Sequence, residues 1–196
     1  RKLSGRCVAG KILYNGFVGD WVRPVSSRDT GELSMNEILF QRGDSPQLLN
    51  IISLKLVHPV SHLYQKENWL NDAKSSWKKV GQFSSKELSK MWDKPNSLWL
   101  NDYHSYSGLN DRFPFEMASE LQDGSLLLVK PEKPTLLVEQ ELHGKTKVRC
   151  RFSYNGDTYS LVVTDPVIEE EYLAKGNGKY PLDSLNAHLC LSIGEP

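Results

Sequence analysis

Apolar and polar residues alternate in short runs along the last third of the chain, a pattern typical of β-strands. The clearest run lies in a predicted strand over 145–154, where Val148, Cys150 and further apolar residues occupy every second position. Successive side chains of a strand point to opposite faces, so this strand is predicted to bury one face and expose the other. A second strand, 158–164, follows across Asn155-Gly156, a dipeptide favoured in two-residue hairpin turns.

Other segments of the last third carry related signals. Further strands are predicted over 125–130, 135–141 and 188–193. A helix is predicted over 167–174, with Gly176 as its C-cap, because glycine readily adopts the left-handed conformation that ends helices.

The first third is predicted to be β-rich as well. Strands are expected over 6–11 and 19–26, joined by a turn, and over 48–57, which His58-Pro59 ends. Proline cannot donate a hydrogen bond to a strand ladder. Pro24 therefore predicts that the second strand lies at a sheet edge, ends there or bulges.

The middle of the chain has a different composition. Ser84 followed by Glu87 is a capping-box pattern that predicts the start of a helix. We therefore predict a mainly β protein with short helices, in which two small OB-like Greek-key barrels, 1–83 and 125–196, are joined by a helical, aromatic-rich connector over 84–124.

Charge and cysteine content restrict the classes of function. Lys plus Arg and Asp plus Glu number 24 each, so any nucleic-acid site must be a local patch. Cys7, Cys150 and Cys190 are widely spaced in apolar, strand-like contexts, which predicts buried thiols in a reducing compartment. The sequence shows no apolar run of about 18 residues and no signal-peptide pattern, which predicts a cytoplasmic protein without membrane contact.

Two cationic strands are candidate nucleic-acid contacts. Arginine can fork a phosphate and stack on a ring, and OB barrels combine basic grooves with aromatic platforms. The alternatives are a solvated outer strand face and a structural cation–π pair. The predicted contact residues are Arg6, Lys11, Trp21, Arg23, Lys145, Lys147, Arg149 and Arg151.

A second candidate site follows the third strand. Tyr64, Gln65, Glu67 and Asn68 combine a stacking ring, amides and a carboxylate, as a nucleotide pocket would, although a capped turn explains the same residues. The sequence contains no zinc-ligand spacing and no nucleophile elbow, so we predict neither a metal nor another cofactor and no enzymatic activity.

Several short motifs together resemble a known family. The motifs are Cys7 to Lys11, Trp21 to Ser26, Tyr64 to Asn68, Val163 to Pro166 and Leu191 to Pro196. In order and spacing they resemble the bacterial dual OB-containing domain family, which is found in conflict or defence loci. The resemblance implies two OB-like barrels and a role in binding nucleic acid, and it implies no catalytic site.

The leading hypothesis is a non-enzymatic module that binds single-stranded DNA or RNA as an accessory to a bacterial defence system. One alternative is a sensor that binds a small nucleotide in the pocket near Tyr64. Another is a scaffold whose Pro-marked edge strand, with Val22 and Val25, pairs with a protein partner from the same locus. A hydrolase without a recognised motif is a further alternative.

Overall fold

Short strands dominate the computed structural model, which describes residues 5–121, 124–141 and 144–194. The chain divides into two compact units. One consists of Arg1–Trp92 and Glu120–Leu126, and the other of Asp93–Ser119 and Leu127–Pro196. The segment predicted as a connector, 84–124, is therefore shared between the two units.

Six strands and two short helices form the first unit in the described residues. The strands are β1 (Gly10–Tyr14), β2 (Phe17–Val25), β3 (Asn50–Ser53), β4 (Leu56–Pro59), β5 (Asn68–Asn71) and β6 (Lys78–Gln82). The helices are α1 (Met35–Ile38) and a 3₁₀ helix, Ser85–Met91. One sheet has the order β1-β2-β5-β4 and the other pairs β3 with β6. The predicted 48–57 strand is thus split into β3 and β4.

Strand β2 changes partner along its length. It pairs antiparallel with β1 as far as Val22 and parallel with β5 from Arg23 to Val25. Pro24 therefore lies beyond the β1 ladder, where no N–H is needed on that side. The prediction that β2 lies at an edge, ends or bulges at Pro24 is confirmed, because β2 ends one residue later and from Arg23 to Val25 it pairs with β5 alone. Taken over its whole length, β2 is an inner strand of the order β1-β2-β5-β4.

The core of the first unit centres on Trp77, which is fully buried together with Leu33 and Ile38. The Trp77 indole Nε1 donates a hydrogen bond of 2.9 Å to Oδ1 of Asn71, so the ring is buried without losing its polar partner. The half-buried residues Val8, Phe40, Ile52 and Leu54 pack around this cluster.

The remaining strands build the second unit, with β7 beginning one residue before it. They are β7 (Leu126–Val129), β8 (Glu132–Gln140), β9 (Thr146–Tyr154), β10 (Asp157–Val162), β11 (Gly178–Pro181) and β12 (Leu189–Ser192). A four-stranded sheet has the order β10-β9-β8-β11, and β12 pairs with β7. The predicted hairpin across Asn155-Gly156 is confirmed as β9 and β10. In the described residues the ladders form separate sheets and do not close into a barrel.

The helices of the second unit are also short. They are a 3₁₀ helix, Phe115–Glu120, and α2 (Pro166–Lys175). Asp165 caps α2 by accepting hydrogen bonds from the backbone of Val167 and Ile168, and Gly176 ends it with φ of 83°, as predicted. No helix in the described ranges is long and apolar enough to cross a membrane.

The core of the second unit confirms the alternation predicted for β9. Val148, Cys150, Phe152 and Tyr154 are all buried in it. Leu98, from the segment predicted as a connector, is also a core residue, and its backbone N–H donates to the hydroxyl of Tyr159.

The prediction of three buried thiols is wrong for two of them. Cys7 and Cys190 are exposed, and only Cys150 is buried. Cys190 lies on the outer face of β12, where burial alternates, and Cys7 precedes β1 in an exposed stretch. Burial raises the pKa of the Cys150 thiol to about 11.

Candidate nucleic-acid interface

The β1–β2 hairpin presents two aromatic rings to solvent. Its turn is formed by Asn15 and Gly16, with φ of 48° and 81°, and Tyr14 pairs with Phe17 across it. Positive φ at both positions is the type I′ geometry that Asn-Gly favours. The Tyr14 and Phe17 residues are 71% and 78% exposed. Sequence reasoning missed both, because it placed the strands at 6–11 and 19–26, although Asn15-Gly16 between apolar residues was an available hairpin signal.

A cation–π contact lies closer to the base of the same hairpin. Lys11 pairs with Trp21 across the ladder, and its Nζ lies 5.3 Å from the centroid of the indole ring. Both residues are partly exposed. Arg6 is exposed and precedes β1 in a bridge with Leu33. The structure therefore places Lys11 and Trp21 together on the hairpin that also carries Tyr14 and Phe17.

Arg23 does not join this surface. Its Nη2 lies 2.9 Å from Oε1 of Glu67 and donates a hydrogen bond of 2.9 Å to the hydroxyl of Ser125. The Arg23 and Glu67 side chains are only 13% and 4% exposed. The predicted phosphate contact at Arg23 is therefore not available, because a buried carboxylate already neutralises its charge.

The candidate nucleotide pocket near Tyr64 is a packed turn. Tyr64, Glu67 and Asn68 are each buried, and Nδ2 of Asn68 donates a hydrogen bond of 3.0 Å to Oε1 of Gln65. The carboxylate of Glu67 accepts hydrogen bonds from the backbone and the hydroxyl of Ser125. These contacts favour the capped-turn alternative, since the Glu67 carboxylate, Oε1 of Gln65 and Nδ2 of Asn68 all form hydrogen bonds within the protein. Oδ1 of Asn68 is buried and has no hydrogen-bond partner among the described residues.

Arg149 of β9 is also neutralised internally. Its Nε and Nη2 donate to Oε1 of Glu141 at 3.1 and 2.8 Å, and its Nη1 donates to Oδ2 of Asp111 at 3.0 Å. The Arg149 side chain is 10% exposed. The predicted outward-facing cation at this position is wrong, because the face opposite the apolar core is covered by two carboxylates.

Lys147 completes this cluster, which we call the Arg149 cluster and which contains Arg149, Lys147, Glu141 and Asp111. Nζ of Lys147 lies 2.8 Å from Oε2 of Glu141. The hydrogen bond from Lys147, helped by that from Arg149, outweighs partial burial and lowers the pKa of Glu141. Burial acts to raise the pKa of Asp111, but hydrogen bonds from Ser105 and Arg149 outweigh it and the pKa is lowered. Both carboxylates are therefore ionised near neutral pH, and they pair with the two basic side chains of the cluster.

Only two of the four predicted cations of this segment face solvent without an ion pair to any described residue. Lys145 lies in the turn before β9, and Arg151 lies on β9 opposite Ser160 of β10. The predicted basic strand is thus reduced to these two exposed residues.

Comparison with known proteins assigns the chain to a family. A family model described as the dual OB-containing domain matches residues 1–196, which is the whole chain. The chain belongs to this family. No curated protein and no solved structure is detectably similar to the chain. The mainly β fold class predicted from the sequence is confirmed.

For a dual OB-containing domain, nucleic-acid binding is the general expectation. OB folds bind oligonucleotides on a strand face and through the loops that join strands, including the loop between the first two. The β1–β2 hairpin is the first strand connection of the first unit, and its tip carries the exposed Tyr14 and Phe17. The family and the geometry therefore both indicate the β1–β2 hairpin as the candidate contact.

Proposed function

We propose that this dual OB-containing domain binds single-stranded nucleic acid without catalysing a reaction, and that the β1–β2 hairpin is the principal contact. The observation that carries the proposal is the exposed cross-strand pair of Tyr14 and Phe17. Bases stack on such rings whatever their sequence, with a gain of about 1–3 kcal/mol per base. Two exposed rings on a tight turn are suited to a strand whose bases are unpaired.

Cations near this hairpin support the proposal. Lys11, held against Trp21, and the exposed Arg6 provide positive charge on the first unit. Lys145 and Arg151 provide a separate contact on the second unit. Since the net charge of the chain is zero, we expect modest affinity that depends on salt concentration.

The proposed biological setting is an accessory role in a bacterial conflict or defence system. The support for this setting is the family resemblance of the sequence. A protein partner from the same locus would fit the outer strand β1 better than β2, because β1 has an unpaired edge in the described part of the sheet.

The proposal is tested by removing both rings. We expect Tyr14→Ala/Phe17→Ala to weaken the binding of an oligo(dT) strand of about 15 nucleotides by at least about tenfold, measured by fluorescence anisotropy. Tyr106 and Phe115 are 84% and 53% exposed on the second unit, so Tyr106→Ala/Phe115→Ala is a matched control.

The control variant is expected to bind like the wild type. An unchanged affinity of Tyr14→Ala/Phe17→Ala would contradict the proposal, and so would an equal loss in the control. Parallel titrations with oligo(dT) and oligo(U) report whether the hairpin distinguishes DNA from RNA.

A further inference from the structure

A solvent-open groove of about 920 Å³ lies within the first unit, between the 40–50 segment and β6. Three cations line it, Arg42, Lys78 and Lys79, together with a single acid, Asp44. Its volume falls within the range of about 300–1,000 Å³ that is typical of small-molecule sites. None of these residues belongs to the predicted contact sets or to the hairpin.

Several other cations of the same unit have a carboxylate partner within the protein. Arg23, Arg28, Lys55 and Lys90 each form an ion pair with a carboxylate. Arg42, Lys78 and Lys79 are exposed and have no ion pair to any residue in the described ranges. Like charges held in one groove repel each other, and an anionic ligand would relieve that repulsion.

Lys78 and Lys79 lie next to a bulge in β6. Ile51 pairs with Gly81 but Ile52 pairs with Lys79, which leaves Val80 as an extra residue. A bulge of this kind bends the strand locally. Both lysines line the groove.

Arg42 is positioned by a closed turn. The backbone N–H of Gly43 donates to the carbonyl of Phe40 at 2.8 Å, and that of Phe40 donates to the carbonyl of Asp44 at 2.9 Å. Gly43 has φ of 86°, which glycine adopts without strain. The guanidinium therefore extends from a fixed backbone rather than from a long, unrestrained loop.

Amide groups hold the other wall of the groove. Asn50 accepts a hydrogen bond of 3.0 Å from the backbone of Gln47, and its Nδ2 donates one of 2.7 Å to Oε1 of Gln82 on β6. These bonds tie the 40–50 segment to the strand that carries the lysines. The cations thus project from two elements that are hydrogen-bonded to each other.

We propose that this groove is a phosphate-binding site for a nucleotide ligand. Arg42 provides a planar fork for phosphate oxygens, while Lys78 and Lys79 act as point charges. The phosphates come either from a free nucleoside polyphosphate or from a nucleic-acid strand, which present the same chemistry to these side chains. The site is separate from the hairpin. Its use by a nucleic-acid strand rests on the function proposed above, whereas its use by a free nucleotide does not.

The test measures the binding of ATP without added Mg²⁺, and of oligo(dT) of about 15 nucleotides, to the wild type and to three variants. We expect Lys78→Ala/Lys79→Ala to weaken binding of at least one probe about tenfold. Asp44→Asn removes the one acidic side chain of the groove and is expected to increase the affinity for the same probe several-fold. Lys66→Ala/Lys74→Ala removes the same charge from exposed positions outside the groove and is expected to have no effect.

If Lys78→Ala/Lys79→Ala has a lower affinity for ATP, the groove binds a free nucleotide. If only its affinity for oligo(dT) is lower, the groove binds a nucleic-acid strand. The proposal is overturned if the wild type binds neither probe or if Lys78→Ala/Lys79→Ala binds both probes like the wild type. It is also overturned if the Lys66→Ala/Lys74→Ala control loses as much affinity as Lys78→Ala/Lys79→Ala. Tyr14→Ala/Phe17→Ala is measured alongside, because loss of oligo(dT) binding there, with ATP binding intact, separates the hairpin from the groove. Thermal unfolding confirms that each variant is folded.

Discussion

Two hairpins of this protein share the tripeptide Tyr-Asn-Gly, at 14–16 and at 154–156. Their turns are nearly the same, since the asparagines have φ of 48° and 49° and the glycines φ of 81° and 90°. The tyrosines differ completely, because Tyr14 is 71% exposed and Tyr154 is 8% exposed. Local sequence thus determines the turn, whereas the burial of the ring depends on what packs against it.

The second hairpin is covered by a neighbouring segment of its own unit. The hydroxyl of Tyr154 donates to the carbonyl of Pro95 at 3.0 Å, and the side-chain amide of Asn155 donates to Pro95 and Asn96. The first hairpin lies at the outer strand of its sheet, and its tip faces solvent. We infer that the same motif serves stability in one unit and ligand contact in the other.

The largest expected effect of this difference is on stability. We expect Tyr154→Ala to lower the free energy of unfolding by about 4 kcal/mol, because it creates a cavity in the core and removes a hydrogen bond. Tyr14→Ala is expected to change the free energy of unfolding by no more than about 0.5 kcal/mol, as do most surface substitutions. Urea denaturation of the two variants measures both values.

Tyr154→Phe serves as the control for this pair. It keeps the ring and removes only the hydrogen bond, so we expect a loss of about 1 kcal/mol. Equal destabilisation by Tyr14→Ala and Tyr154→Ala would show that the comparison of the two hairpins is wrong.

A somewhat smaller effect is expected from the cations of the two hairpins. Arg149→Ala leaves Asp111 and Glu141 without their shared partner, and we expect it to cost about 3 kcal/mol of unfolding free energy. Lys11→Ala loses an exposed cation–π contact and is expected to cost at most about 1 kcal/mol.

Arg151 is an exposed residue of β9, so Arg151→Ala is the matched control. Its free energy of unfolding is expected to stay near that of the wild type. A folded Arg149→Ala variant with wild-type stability, but with weakened oligo(dT) binding, would restore Arg149 to the set of phosphate contacts and contradict its structural role.

Much of the fold could be predicted because its signals are local. Alternation identified the buried face of β9, Asn155-Gly156 identified its turn, and Asp165 and Gly176 mark the ends of α2. The division of 84–124 between two units could not be predicted, because Leu98 is recruited to the core by contacts with residues such as Tyr159, which lies 61 positions away.

The candidate site was predicted less well, for a related reason. No acid lies close to Arg149 within its own strand, yet Glu141 is 8 residues away and Asp111 is 38 residues away. Likewise, the charge of Arg23 on β2 is neutralised by Glu67, which immediately precedes β5. Charge counting along a segment cannot detect carboxylates that only the fold brings together, so it overestimates the number of cations available to a ligand.

The central claim is that the exposed hairpin, and not its buried counterpart, contacts nucleic acid. The two turns provide an internal control in one amide NMR spectrum, because each contains an asparagine and a glycine with nearly the same backbone geometry. On titration with oligo(dT), the amides of Asn15 and Gly16 are expected to shift, while those of Asn155 and Gly156 remain in place. Shifts confined to Asn155 and Gly156, or binding that moves neither turn, would contradict the account.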